Sequence, residues 1–181
     1  SVRDNILLGR DFDESWYAEI IRCCSLEHDL ESFANGDKTE IGERGVTVSG
    51  GQKARISLAR ALYGKPQLLL LDDPLSAVDA NVAQHLVHEA LIGLARHKLK
   101  SAVVLVSHQL QFAEQLADMA CVLSHGKVLA YGPPTELISK GLLQHGRAST
   151  GGSAAPAPAP APAPPDEPAE AAEQEAVEKA A

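Results

Sequence analysis

Three observations predict an α/β chain built on a parallel sheet: apolar strands alternate with helical stripes, acids and a histidine stand where strands end, and a polar, mostly helical stretch precedes them. Residues 67–71 form a short apolar run, opened by Pro66 and closed by Asp72, Asp73 and Pro74, the pattern of a buried strand. Val82, Leu86, Ala90 and Leu94 then recur at helical spacing, and Val87 and Leu91 widen the stripe. Residues 102–106 are a second apolar run expected to be buried, ended by Ser107 and His108. Leu110, Phe112, Ala113, Leu116 and Ala117 follow as a shorter helix. Residues 119–123 and 128–131 flank Ser124, His125, Gly126 and Lys127, a hairpin turn. Strands joined through helices imply right-handed crossovers, with ligands bound beyond the carboxyl ends of the strands. Asp72, Asp73 and His108 all stand at such ends, so two acids and an imidazole are expected to converge.

Composition narrows the function. The 181 residues hold 24 Asp or Glu against 16 Lys or Arg, a formal charge of −8, which argues against binding a phosphate backbone and so against a nucleic-acid partner. Residues 148–181 carry six of those acids, which leaves the preceding part only mildly acidic. No run approaches the roughly 18 apolar residues of a membrane span. Cys23, Cys24 and Cys121 fit neither a disulfide framework nor paired zinc-ligand spacing, and point to a reducing compartment. Nothing at the front resembles a secretion signal, and a start at Ser1 with one methionine, Met119, suggests a fragment. Seven of the eleven prolines lie at positions 156–168, within an Ala-Pro alternation that favours extended polyproline conformations and cannot build a core. Residues 142–181 are therefore expected to be a disordered Ala/Pro/Glu tail.

The remaining chemistry sits in the first 64 residues and at the strand ends. Trp16, Ala18, Ile20, Ile21 and Cys24 make an irregular apolar face, with Trp16 and Tyr17 taken as packing and Cys23 and Cys24 expected on different sides of a helix, one in the core and one at the surface. Residues 40–48 carry turn formers. Ser49, Gly50, Gly51 and Gln52 then open a helix whose apolar positions are Ala54, Leu58, Ala61 and Leu62. A serine and two glycines at a helix start can form an anion site, because the first amides lack intrahelical partners, the dipole is positive there, and glycine lets a phosphate approach. By itself the same pattern is an ordinary serine cap. His97, Lys98 and Lys100 read as cations at a helix end, and His85 with His88 as a solvated face.

Taken in order, residues 48–52 (VSGGQ), 68–73 (LLLLDD), 76–79 (SAVD) and His108 after a strand resemble the signature loop, Walker B strand, D-loop and switch histidine of the ATP-binding cassette nucleotide-binding domain. Residues 1–9 (SVRDNILLG), 39–45 (TEIGERG) and 69–80 (LLLDDPLSAVDA) resemble more narrowly the first such domain of subfamily C, the multidrug-resistance-associated type. The resemblance covers residues 1 to about 141. It implies a P-loop NTPase-like parallel sheet with a helical subdomain: residues 1–64 as part of the helical, signature-bearing subdomain, and residues 65–141 as the Walker B and switch-histidine half of the core.

It also implies roles. Asp72 would help hold Mg2+, Asp73 would stand where the family places its general base, His108 would meet the γ-phosphate of ATP, and Ser76 and Asp79 would belong to the D-loop. Ser49, Gly50, Gly51 and Gln52 would complete an ATP site on a partner domain, because in the family two domains sandwich two nucleotides. The phosphate-loop half is expected to be absent: Gly64-Lys65 precedes Pro66 and Gly126-Lys127 precedes Val128, so neither is a Walker A loop. Its loss should leave an open sheet edge, uncovered apolar side chains and poor solubility. Asp73 replaces the family's usual glutamate, about 1.5 Å shorter in reach, which predicts slow hydrolysis. Val48 replaces the usual leucine, a mild change. The implied whole is an ATP-driven exporter, this chain lying at the cytoplasmic face of a membrane and partnered by a second nucleotide-binding domain and transmembrane domains. The rival readings are a chromosome-maintenance or DNA-repair ATPase head, a non-catalytic truncated interaction fragment, and a metal-dependent hydrolase built on Asp72, Asp73 and His108.

Overall fold

A computed structural model describes residues 1–42 and 48–143. The chain divides into two units, Ser1–Arg147 and Ala148–Ala181, and every described residue lies in the first. Of the expected disordered tail at 142–181, Leu142 and Leu143 are ordered, their amides bonding Leu137 O and Leu143 buried, while residues 144 onward, and residues 43–45 of the TEIGERG run, lie outside the described residues.

The first part is helical because each helix start is capped. Ser1 and Asp4 form a reciprocal capping box on α1 (Val2–Leu7), which ends when Leu8 turns left-handed at φ 46°. Asp13 caps α2 (Glu14–Cys23) by accepting from the Trp16 amide. A short α3 (Glu27–Ser32) and a 3-10 turn at Gly36–Lys38 follow. The central element is α4 (Gly50–Tyr63), which packs on α1 and α2. It stops at Gly64, after which Lys65 takes φ 49° and Pro66 redirects the chain.

Strand β1 (Leu68–Asp72) pairs in parallel with β2 (Ala102–Val106), in a register that sets Asp72 opposite Val106. The crossover between them is α5 (Ala80–His85), prolonged over Leu86–Lys98 by wider π turns and burying Leu86, Val87, Ala90, Leu91 and Leu94. A 3-10 turn at Leu110–Phe112 runs into α6 (Ala113–Leu116). An antiparallel hairpin follows, β3 (Ala120–Ser124) with β4 (Lys127–Gly132), then α7 (Pro134–Ser139). His125 and Gly126 both take positive φ, as the two-residue primed hairpin turn demands. The expected order of strand, helix, strand, helix and hairpin is the observed one.

Two expectations fail. Neither β1 nor β2 is a fully buried strand: Leu69 is buried and Leu71 and Val103 face the helices, but Leu68, Leu70, Val104 and Val106 are exposed, Leu70 at 68%. The composition supplies two apolar faces and, among the described residues, helices cover one. Cys23 and Cys24 are both buried, not one inside and one outside. The helix ends between them, and the turn through Cys24 to Ser25, at φ 54°, folds both thiols inward. Burial pushes both thiols up, Cys24 furthest. Lys98, taken as a dipole-complementing cation, also bonds Glu19 at 2.7 Å and lies over the buried Trp16 ring, whose Nε1 donates to Tyr63 O at 3.0 Å.

Carboxylates at two helical joints are expected to make the fold sensitive to acid. Bonds from the Trp16 amide and the Ser15 hydroxyl hold Asp13 below its ordinary 3.8, and the Arg22 bond holds Glu89 below 4.5. Both groups bind protons more readily when unfolded, so their stabilisation is full above about pH 5 and fades as pH falls through the depressed values. The thermal midpoint is expected to fall steadily from pH 5 to pH 3, and Asp13→Ala should flatten that decline. An identical slope in the variant would exclude Asp13 as a source.

Candidate functional site

Two sets of expected residues come together separately. At the end of β1, Asp73 adopts a left-handed backbone, φ 46°, strained for a residue with a Cβ. Its amide donates to Val106 O at 2.8 Å, and its carbonyl accepts from the Ser76 amide at 3.3 Å and the Ser76 hydroxyl at 2.9 Å. The strain is therefore held by main-chain bonds on both sides, and it aims the Asp73 carboxylate at His108, whose Nδ1 lies 3.1 Å from Asp73 Oδ1. The segment bearing His108 is tied down in turn, because Gln109 Nε2 donates to Leu75 O at 3.1 Å and the Gln109 amide to Ser107 Oγ at 3.0 Å. Asp72 is exposed at the strand end.

The second set surrounds a cleft of about 350 Å³ lined by Ser49, Gly50, Gly51, Arg55, Ala77, Val78, Asp79 and Val82. Ser49 caps α4: its hydroxyl accepts from the Gln52 amide at 3.2 Å while Gln52 Oε1 accepts from the Ser49 amide at 2.8 Å. As an acceptor toward Gln52, the hydroxyl keeps its own proton free to donate outward. The Gly50 and Gly51 amides are the first two of the helix and so lack intrahelical partners. On the opposite wall Asp79 caps α5, accepting from the Asn81 and Val82 amides at 3.0 Å each. The lining includes neither Asp72, Asp73 nor His108.

Sequence reasoning named Ser49, Gly50, Gly51 and Asp79 and included Ala77 and Val78 in the SAVD run without giving them a role, but missed Arg55 as a wall and Gln109 as the tether of the histidine segment. Arg55 stands one helical turn beyond Gln52, a spacing that could have marked it. Nothing local marks Gln109.

The free amides and hydroxyl proton at the start of α4 are donors of the kind that anionic oxygens accept from. Among the described residues no group of three His, Cys, Asp or Glu is placed to hold a metal ion. Mg2+, which keeps waters and takes phosphate oxygens, needs one or two carboxylates, and Asp72 offers one.

Comparison with known proteins gives the family. The ABC transporter family profile matches residues 1–76. The chain is 49% identical over 137 residues to ABC-type transporter cicA of Emericella nidulans, covering 76% of this chain and 10% of that protein. It is 46% identical over 138 residues to ATP-binding cassette sub-family C member 10 of Mus musculus, covering 76% and 9%. It is 48% identical over 143 residues to the probable multidrug resistance-associated protein lethal(2)03659 of Drosophila melanogaster, covering 79% and 10%. The matched sequence is that of an ATP-binding cassette nucleotide-binding domain, whose family binds ATP and typically Mg2+ on an α/β, P-loop NTPase-like fold. Within that class it is of the subfamily C, multidrug-resistance-associated type. The chain spans about a tenth of the length of the curated relatives it matches. Among the described residues no helix is long and apolar enough to cross a membrane.

Proposed function

We propose that this chain is the signature-bearing and Walker B part of a cassette domain in an ATP-driven exporter, and that Ser49, Gly50 and Gly51 complete an ATP site whose phosphate cradle lies on a partner nucleotide-binding domain. The observation that carries this reading is the separation of the two sets of residues: the cleft at the start of α4 offers free amides and a hydroxyl proton, yet its lining contains none of the acids or the histidine that hydrolysis needs. Such a cleft is half a site. The domain organisation that goes with it is a helical, signature-bearing portion at residues 1–64, an incomplete core at 65–141 and a spacer tail at 142–181, the chain lying at the cytoplasmic face beside transmembrane domains.

In this reading Asp72 would hold Mg2+, which would supply positive charge to the phosphates. Asp73 Oδ1 lies 3.1 Å from Nδ1 of the exposed His108, which would leave Nε2 for a phosphate oxygen. Asp73 is one methylene shorter than glutamate, so in a completed site its grip on an attacking water would be poor and turnover slow. Catalysis here is positioning and charge stabilisation, without a covalent step.

The 181 residues contain no Gly-Lys-Ser or Gly-Lys-Thr, so calorimetry with MgATP should show almost no binding to the purified chain. Mixed with the second nucleotide-binding domain of a subfamily C transporter and ATP, the chain should associate, and Ser49→Ala should weaken that association. Brisk ATP turnover by the chain alone would sink the proposal.

A further inference from the structure

The phosphate-facing groups of Ser49 are held in place from a different helix. Gln52 Nε2 donates to Asp29 Oδ1 at 3.0 Å, and this fixes the amide with Oε1 turned back onto the Ser49 amide at 2.8 Å. The carboxylate of Asp29 is itself held by Arg55: Nη2 donates to Oδ1 at 3.2 Å and lies 2.9 Å from Oδ2, while Nη1 donates to Ser25 O at 3.0 Å. Both side chains of this ion pair are only 14% exposed. Asp29 therefore reaches the start of α4 twice, through Gln52 to Ser49 and through Arg55 to the cleft wall.

We infer that Asp29 is a positioning residue for the signature loop. Without its carboxylate, Gln52 loses the acceptor that selects its rotamer, and its Oε1 no longer stays on the Ser49 amide. The Ser49 hydroxyl and the Gly50 and Gly51 amides then lose their common orientation. An exposed glutamine cap contributes little to a helix. Here the cap is locked by a charge pair shielded from solvent, where salt screens it weakly. The inference rests on the reading of Ser49–Gly51 as a phosphate-receiving loop, but the positioning is measurable without nucleotide.

The test is amide hydrogen exchange by NMR on the whole chain, followed by titration with inorganic phosphate. In Asp29→Ala the Ser49 amide is expected to exchange roughly 3- to 10-fold faster, the equivalent of one lost hydrogen bond, while the Ala59 and Leu62 amides in the middle of α4 keep their rates. Should Asp29→Ala fail to fold, Asp29→Leu keeps the side chain's bulk at this shielded position, removes both acceptors while leaving Gln52 in place, and should give the same local acceleration. In the parent chain phosphate should shift the Gly50 and Gly51 amide resonances, and in either variant that response should weaken. An unchanged Ser49 rate, or a rise shared equally by Ala59 and Leu62, overturns the inference, the second because it marks general destabilisation. Faster Ser49 exchange in a protein whose Gly50 and Gly51 resonances ignore phosphate leaves Asp29 as the positioning group and overturns the phosphate reading instead.

Discussion

Leu62→Ala should lower the stability of the first unit by about 2–5 kcal/mol, a large share of the roughly 5–15 kcal/mol that holds a domain of ordinary stability. Leu62 is fully buried on α4, the helix that α1 and α2 both pack against, so its loss opens a cavity where several elements meet. The contrast that makes this decisive is Leu70→Ala. Leu70 lies on the uncovered face of β1 at 68% exposure, and the same truncation there should change stability by less than about 0.5 kcal/mol. Urea unfolding monitored by the Trp16 fluorescence gives both values. Equal costs at the two positions would mean that the outer sheet face is covered in solution, and a dependence of the Leu70→Ala effect on protein concentration would identify self-association as the cover.

That same face shows where sequence reading reaches its limit. The strands themselves were legible: apolar runs ended by Asp72-Asp73-Pro74 and by Ser107-His108 leave little choice of element, and their parallel pairing follows from the intervening helix. The meeting of Asp73 with His108 was legible too, because neighbouring parallel strands deliver their carboxyl ends to the same edge. Burial was not. An apolar run states what a strand could pack against on two faces, and says nothing of which faces find a partner. Cys23 and Cys24 failed for a related reason, since opposite-facing side chains assume a helix that continues, and this one ends between them. The lock at Asp29 leaves no mark in the sequence, because Asp29 stands 23 residues before Gln52 and 26 before Arg55, and its role exists only once α3 meets α4.

Gly51→Ala should both destabilise the unit and abolish ATP-dependent association with a partner domain, although alanine is the better helix former by about 1 kcal/mol. A Cβ on Gly51 would stand 2.9 Å from the Ala77 carbonyl oxygen and 3.6 Å from Val78 Cγ1. The carbonyl cannot retreat cheaply, because the loop is anchored on both sides of it: Leu75 is fully buried and its carbonyl accepts from Gln109, while Asp79 caps α5. Overpacking of this kind costs about 1–3 kcal/mol, enough to outweigh the propensity gain. Gly50 supplies the internal control. A Cβ there meets Ala77 Cβ at 3.9 Å, an ordinary contact, so Gly50→Ala should be neutral or slightly stabilising. Two adjacent glycines of one motif are thus expected to respond with opposite signs, read as shifts of the urea midpoint. If both alanines raise it, the Ala77–Asp79 loop yields freely, and the cleft between α4 and that loop is not a fixed half of a nucleotide site.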